Sequence, residues 1–258
     1  MSHTVIIGDQ HVPLKGASSD TLDKVLQFQP FKDWVQQFDK EQQKWKNEMK
    51  ISSIEVQSTD VFSSEKLGFV KLKADVKFKD TDSSAPGIVF MRGGSVSILI
   101  ILRPNDAEGE DRVILTLQPR VPVPSLSFPE LPAGMLDGSG NFSGAAAKEI
   151  EEETGLQIKD DELCDLTELA YGDSQWRGVY PSAGGSDEFL RLFTCVKHMK
   201  KSEINQLEGK LTGLRDHGEK ITLKVVPLKN AWKEAPDAKL LSSLALYKCL
   251  KEAGKIDT

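Results

Sequence analysis

The chain has 258 residues and a formal net charge of −6, with 39% of its residues apolar and 28% charged. That balance is an ordinary globular one and excludes wholesale disorder, while the acidic excess excludes a broad nucleic-acid footprint, which needs a basic surplus. A chain of this length buries roughly 70–75% of the surface its unfolded form exposes and needs no staple. The three cysteines, Cys164, Cys195 and Cys249, are odd in number and far apart, and read as reduced thiols of an intracellular protein.

Met1 to Gln10 shows no basic stretch followed by an apolar one, so no signal peptide is expected. No apolar run approaches the roughly 20 residues of a membrane span, so no membrane partner is expected either. From Asp20 to Met49, Leu22, Val25, Leu26, Phe31, Trp34, Val35 and Phe38 recur at helical steps, which predicts an amphipathic helix broken near Pro30. Val70 to Phe78 alternates apolar residues with Lys71, Lys73, Asp75 and Lys77, the pattern of a half-exposed strand. The polar, turn-rich stretch around residues 80–87 predicts a boundary, with one unit over 1–86 and a second over 87–258. Two strong strands follow, Val96 to Leu102 and Arg112 to Leu117. Pro119, Pro122, Pro124 and Pro129 then make Pro119 to Pro132 a stiff, irregular connection. A helix from Gly144 to Glu153 should stop at Gly155. Further strands are expected at Glu188–Val196 and Ile221–Val226, and a last helix at Ala238–Glu252. Helices and strands interleave without βαβ regularity, so the fold class is α+β. The histidines show no ligand spacing, which argues against a histidine zinc site.

The chemistry lies in the segment from Gly134 to Leu156. Glu149, Glu152 and Glu153 fall on one helical face, with Lys148 the only basic residue beside them. Like charges at that spacing cost an isolated helix a few tenths of a kcal/mol per pair, roughly, and they sit at the end where the macrodipole disfavours anions. A solvated acidic face would tolerate this, and a hard divalent cation would relieve it. The flanks decide between the two. Gly134, Glu149-Ile150, Glu152-Glu153 and Gly155-Leu156 match the Nudix box, G-x5-E-x7-R-E-U-x-E-E-x-G-U, at the right spacing. Gly140 stands where its first glutamate is usual, and Lys148 replaces its arginine.

Outside the box the resemblance is to the ADP-sugar pyrophosphatases, above all those of plants and fungi. Glu130-Leu131-Pro132-Ala133-Gly134, Gln118-Pro119-Arg120, Arg92-Gly93, the Pro181-to-Glu188 segment and Gly213 to Glu219 resemble motifs of that family in order. The resemblance implies a Nudix fold, a mixed sheet between helices, preceded by a helix-and-strand unit that dimerises and helps form the partner's nucleobase pocket. It implies hydrolysis of ADP-ribose or ADP-glucose to AMP and a sugar phosphate, with a small nucleoside diphosphate sugar as the only partner besides a second copy. The same resemblance makes Glu149, Glu153 and the Ala133 carbonyl ligands of two or more Mg²⁺ or Mn²⁺ ions, with Glu152 a further candidate ligand. Arg92, Arg120, Glu130 and Glu188 become substrate-binding, and Glu219 the catalytic base, with His217 the neighbouring candidate and Glu152 the second catalytic carboxylate. A Nudix enzyme for UDP-glucose or another NDP-X is one alternative. A silent nucleotide-binding domain, suggested by Gly140 and Lys148, is the other. A cytoplasmic location is expected, an organelle being the alternative.

Overall fold

The computed structural model describes residues 3–40, 47–62, 66–106, 108–136, 141–213 and 220–256. The chain divides into two compact units, 1–94 with 182–188, and 95–181 with 189–258. The strand at Ile88–Met91 pairs with the sheet of the first unit.

The first unit opens with a hairpin, β1 (His3–Ile7) and β2 (Gln10–Lys15), that the sequence reading did not foresee. Helices α1 (Ser19–Gln27) and α2 (Gln29–Lys40) follow, with the expected break and Pro30 in the first turn of the second, where its missing N–H costs nothing. Met49, where the predicted helix was to end, begins β3 (Met49–Val61). This strand pairs antiparallel with β4 (Leu67–Phe78), which covers the alternating stretch. The short β5 (Ser84–Ala85) and β6 (Ile88–Met91) add to β4, giving the order β1-β2-β3-β4-β5 with β6 beside β4. One face of this sheet packs on Leu22, Val25 and Phe31 of the helices. The other carries exposed Lys71, Lys73 and Asp75, so the alternation in β4 is that of a sheet wetted on one side.

The second unit is built on β7 (Ser95–Pro104), β8 (Arg112–Arg120), β9 (Ser125–Glu130), β10 (Ala133–Met135), β11 (Cys164–Asp165), β12 (Leu190–Met199), β13 (Leu211–Thr212) and β14 (Ile221–Pro227). Its sheet runs β11-β12-β7-β8-β14-β13, with β10 on β7 and β9 on β8. It is mixed: β12 and β7 are parallel, the other pairs antiparallel. Val96, Ile98 and Ile100 of β7 face Ala146 and Ile150 of α3 (Phe142–Thr154) and Ile204 and Leu207 of a later helix. Leu99 and Ile101 face the other way, onto Leu166 of α4 (Leu166–Tyr171) and Leu240 and Leu250 near the C-terminus. The later helices are α5 (Lys201–Leu207), the short α6 (Ala231–Glu234) and α7 (Ala238–Glu252). Helices on both faces explain why β7 is an unbroken apolar run rather than an alternating one.

Two further expectations are corrected here. Pro119 to Pro132 is mostly not irregular: β9 returns along β8. Pro119 sits at the shift in the β8–β9 register, and β9 pairs with β8 alone among the described strands, so neither proline removes a needed donor. The strand expected from Glu188 begins at Leu190, Glu188 itself belonging to the first unit.

Candidate active site

Helix α3 is set by its ends. The Asn141 side chain accepts from Gly144 N–H, and Gly155 closes the helix at φ 73°, a left-handed value that favours glycine. Between them, Ala146 and Ile150 anchor the helix to the sheet, which fixes where its glutamates point. Glu149 lies against Gly134 so closely that a methyl group there would overlap its carboxylate, which gives the first glycine of the box a steric reason.

Glu153 is 5% exposed. Its Oε2 accepts from Ala133 N–H at 3.1 Å and its Oε1 from Gln118 Nε2 at 3.4 Å. Burial, then the negative charge of Glu149, and to a lesser degree that of Glu130, push its carboxyl up to about 8, against the pull of those two donors. Glu152 turns toward the surface and meets Lys148 Nζ at 3.7 Å. Of the three box glutamates, Glu149 and Glu153 are therefore the interacting pair.

Next to them is a charge-balanced cluster. Glu130, 2% exposed, accepts from Arg120 Nε on Oε1 at 2.6 Å and from Lys239 Nζ on Oε2 at 2.8 Å. Lys239 also bonds Asp237 Oδ1 at 3.1 Å. Asp237 caps α7, accepting from Lys239 N–H and Leu240 N–H, and holds Leu131 N–H at 3.0 Å, just ahead of Ala133. Burial pulls the Lys239 ammonium down, but Asp237 and Glu130 outweigh it and the net shift is upward. The terminal nitrogens of Arg120 meet no acceptor among the described residues.

In the first unit, Arg92 Nη1 lies 3.6 Å from Glu188, and its guanidinium stands over the Phe69 ring. The half-buried Asp187 accepts from the N–H groups of Arg92 and Gly93. Both singled-out arginines thus stand beside a singled-out glutamate, Arg92 with Glu188 and Arg120 with Glu130. Glu219, His217 and Gly140 lie outside the described residues. Gln118, Asp237 and Lys239 acquire roles that the sequence reading did not give them; the resemblance extended over the motif around Gln118 and over Asp237-Ala238-Lys239 at the entry to the last helix, and these were the available signals.

The residues fit a divalent cation. Their donors are hard oxygens, and the burial and the Glu149 charge that push the Glu153 carboxyl up are what such an ion would offset. Among the described residues no group of three His, Cys, Asp or Glu side chains is gathered as a complete ligand set. An ion at the Glu149–Glu153 pair would complete its shell with backbone, water and substrate oxygens, or with groups outside those residues.

Comparison with known proteins accords with this geometry. Residues 91–244 match the model of the NUDIX domain. The chain is 37% identical over 245 residues to Nudix hydrolase 14, chloroplastic, of Arabidopsis thaliana, a match that covers 94% of this chain and 77% of the relative. A crystal structure of an ADP compounds hydrolase superposes with a TM-score of 0.51 at 16% identity, over 81% of this chain and 97% of that one, which shows a shared fold. No described helix is long and apolar enough to cross a membrane.

Proposed function

This chain belongs to the Nudix hydrolases, and from that premise we propose that it hydrolyses the diphosphate of ADP-sugars, ADP-ribose or ADP-glucose, to AMP and a sugar phosphate. The observation that carries the reading is the Glu149–Glu153 pair on α3, in which the buried Glu153 is bonded by neutral donors and repelled by Glu149, with an arginine nearby whose terminal nitrogens meet no acceptor among the described residues. The relatives agree: one is named a Nudix hydrolase, and the shared fold belongs to a hydrolase of ADP compounds.

Glu149, Glu153 and the Ala133 carbonyl would hold the metal, Mg²⁺ or Mn²⁺, as two or more ions. When bound, the metal supplies charge neutralisation on the diphosphate and a lowered pKa for the attacking water. The protein's own groups do the rest. Arg120 clamps a phosphate through its terminal nitrogens, a pairing that suits a planar fork. Glu130 fixes that arginine from behind. Glu219 takes the proton of the attacking water, with His217 the competing base. Arg92 and Glu188 bind substrate, and Glu152 assists as a second carboxylate. A homodimer, in which residues 1–86 contribute to the partner's nucleobase pocket, and a cytoplasmic or organellar location complete the proposal.

The test is a magnesium-dependent assay of ADP-ribose, ADP-glucose, UDP-glucose and NADH side by side, with AMP and sugar phosphate identified as products. Higher kcat/KM for UDP-glucose overturns the nucleobase assignment. Tight ADP binding with no turnover of any of the four supports instead the silent domain, the reading favoured by the lysine at 148, whose partner Glu152 lies at 3.7 Å.

A further inference from the structure

We propose that Lys239 is a positioning residue that keeps the Arg120 guanidinium open to a phosphate by occupying the second oxygen of Glu130. The inference rests on the reading of Arg120 as a phosphate clamp and deepens it. An arginine and a carboxylate left to themselves favour a fork, two parallel N–H···O bonds using both carboxylate oxygens. Here Arg120 reaches Glu130 only through Nε, to Oε1. Oε2 already accepts from Lys239 Nζ at 2.8 Å. The ammonium is a compact donor that fills one oxygen without competing for the other.

Lys239 is itself held in place. Asp237 Oδ1 accepts from its Nζ, and Asp237 is tied to the backbone by Lys239 N–H, Leu240 N–H and Leu131 N–H. The start of α7 therefore fixes the ammonium, the ammonium fixes how Glu130 is shared, and Glu130 fixes which nitrogens of Arg120 remain free. The cluster is dry on the inside, Glu130 and Lys239 being largely buried, and open at its outer end, where Arg120 is 40% exposed. Without Lys239, both oxygens of an otherwise unmatched carboxylate would be free to draw in the guanidinium, removing a terminal nitrogen from the phosphate.

The experiment measures binding of ADP, with magnesium present, by titration calorimetry on the full chain, together with KM and kcat for ADP-ribose and a thermal melt for each variant. Lys239→Met should weaken ADP binding about tenfold, a shift of roughly 1.4 kcal/mol, and raise KM in step with a smaller change in kcat. Lys239→Arg should stay within about threefold of wild type, since it still fills Oε2. Adding Glu130→Gln to Lys239→Met should restore binding to within about threefold, because an amide cannot accept a fork on both atoms. Unchanged ADP affinity in a folded Lys239→Met overturns the proposal, as does a loss that persists in the double variant, which is what a merely structural role gives. If Lys239→Met does not fold, the double variant decides alone on the same criterion. Arg120→Met that binds ADP as well as wild type also overturns it. Wild-type protein that binds ADP but hydrolyses no ADP-sugar rejects the proposed reaction while leaving every binding arm readable.

Discussion

Glu130 and Glu153 are two buried glutamates of the same unit, 2% and 5% exposed, each bonded by two donors. The difference is in the donors. Those of Glu130 are cations, Arg120 and Lys239; those of Glu153 are neutral N–H groups, and its charged neighbours, Glu149 and Glu130, are anions. Burying an ion is tolerable when a counter-charge comes with it, and otherwise the group gives up its charge. Glu130 is therefore a finished ion cluster. Glu153 is unfinished: among the described residues no cation balances it.

The hardest test of that contrast replaces each carboxylate by its amide. Glu153→Gln should lower turnover by about 10³-fold or more, equivalent to roughly 4 kcal/mol, because a metal ligand is lost. In EDTA its Tm should hold or rise, since the repulsion with Glu149 is gone. Glu130→Gln should do the opposite to stability, costing about 1–3 kcal/mol, because the buried Lys239 ammonium is then left to Asp237. Near-wild-type turnover in Glu153→Gln would end the metal assignment.

The second test asks whether a further carboxylate serves the unfinished cluster during the reaction. Glu219→Gln should reduce kcat by about 10²–10⁴ while affinity for ADP hardly changes, the signature of a base that acts only in the chemical step. His217→Ala is the internal comparison. Should the large kcat defect appear there instead, the base is His217.

What the sequence disclosed follows the same division. The carboxylate pair was legible because its spacing lies within one helix, and so were the ends of that helix and of α7, whose capping residues are local. The finished cluster was not, because Lys239 meets Glu130 across 109 residues and Asp237 meets Leu131 across 106. Among the strands, β7 was plain from its apolar run. β3 was hidden in Lys-Ile-Ser-Ser-Ile-Glu, which alternates poorly and follows a helical pattern. β9 was hidden by its proline, which reads as irregular chain until the partner strand shows that no donor is needed there.

A third test uses protons. An acid whose carboxyl stands at about 8 in the folded, metal-free protein and near 4.5 in the unfolded chain binds more protons when folded between those values. Stability therefore falls as pH rises through that window, by a few kcal/mol in order of magnitude. The groups facing Glu153 are Glu149, Glu130, Gln118 and the Ala133 N–H, so its charge state follows from this cluster. The decline should vanish in Glu153→Gln. Metal binding at pH 7 should release close to one proton, read by calorimetry in two buffers of different ionisation enthalpy. Release of none would mean that Glu153 is already ionised and the contrast with Glu130 is false.

The smallest effect is expected at Lys148, which lies outside both clusters. Its side chain is 72% exposed and meets Glu152 at 3.7 Å, one turn along the helix. The lysine precedes the glutamate, the weaker order for such a pair, and exposed pairs of this kind contribute at most a few tenths of a kcal/mol, roughly. An arginine here would bring a wider fork to the same half-buried carboxylate and nothing to Glu149 or Glu153. Lys148→Arg should therefore leave kcat/KM within about threefold of wild type, roughly 0.6 kcal/mol. A gain or loss beyond about tenfold, roughly 1.4 kcal/mol, would show that Glu152 acts on the Glu149–Glu153 pair and that the charge at 148 governs how it does so. In that event the unfinished cluster has three carboxylates, and Lys148 reaches it through Glu152.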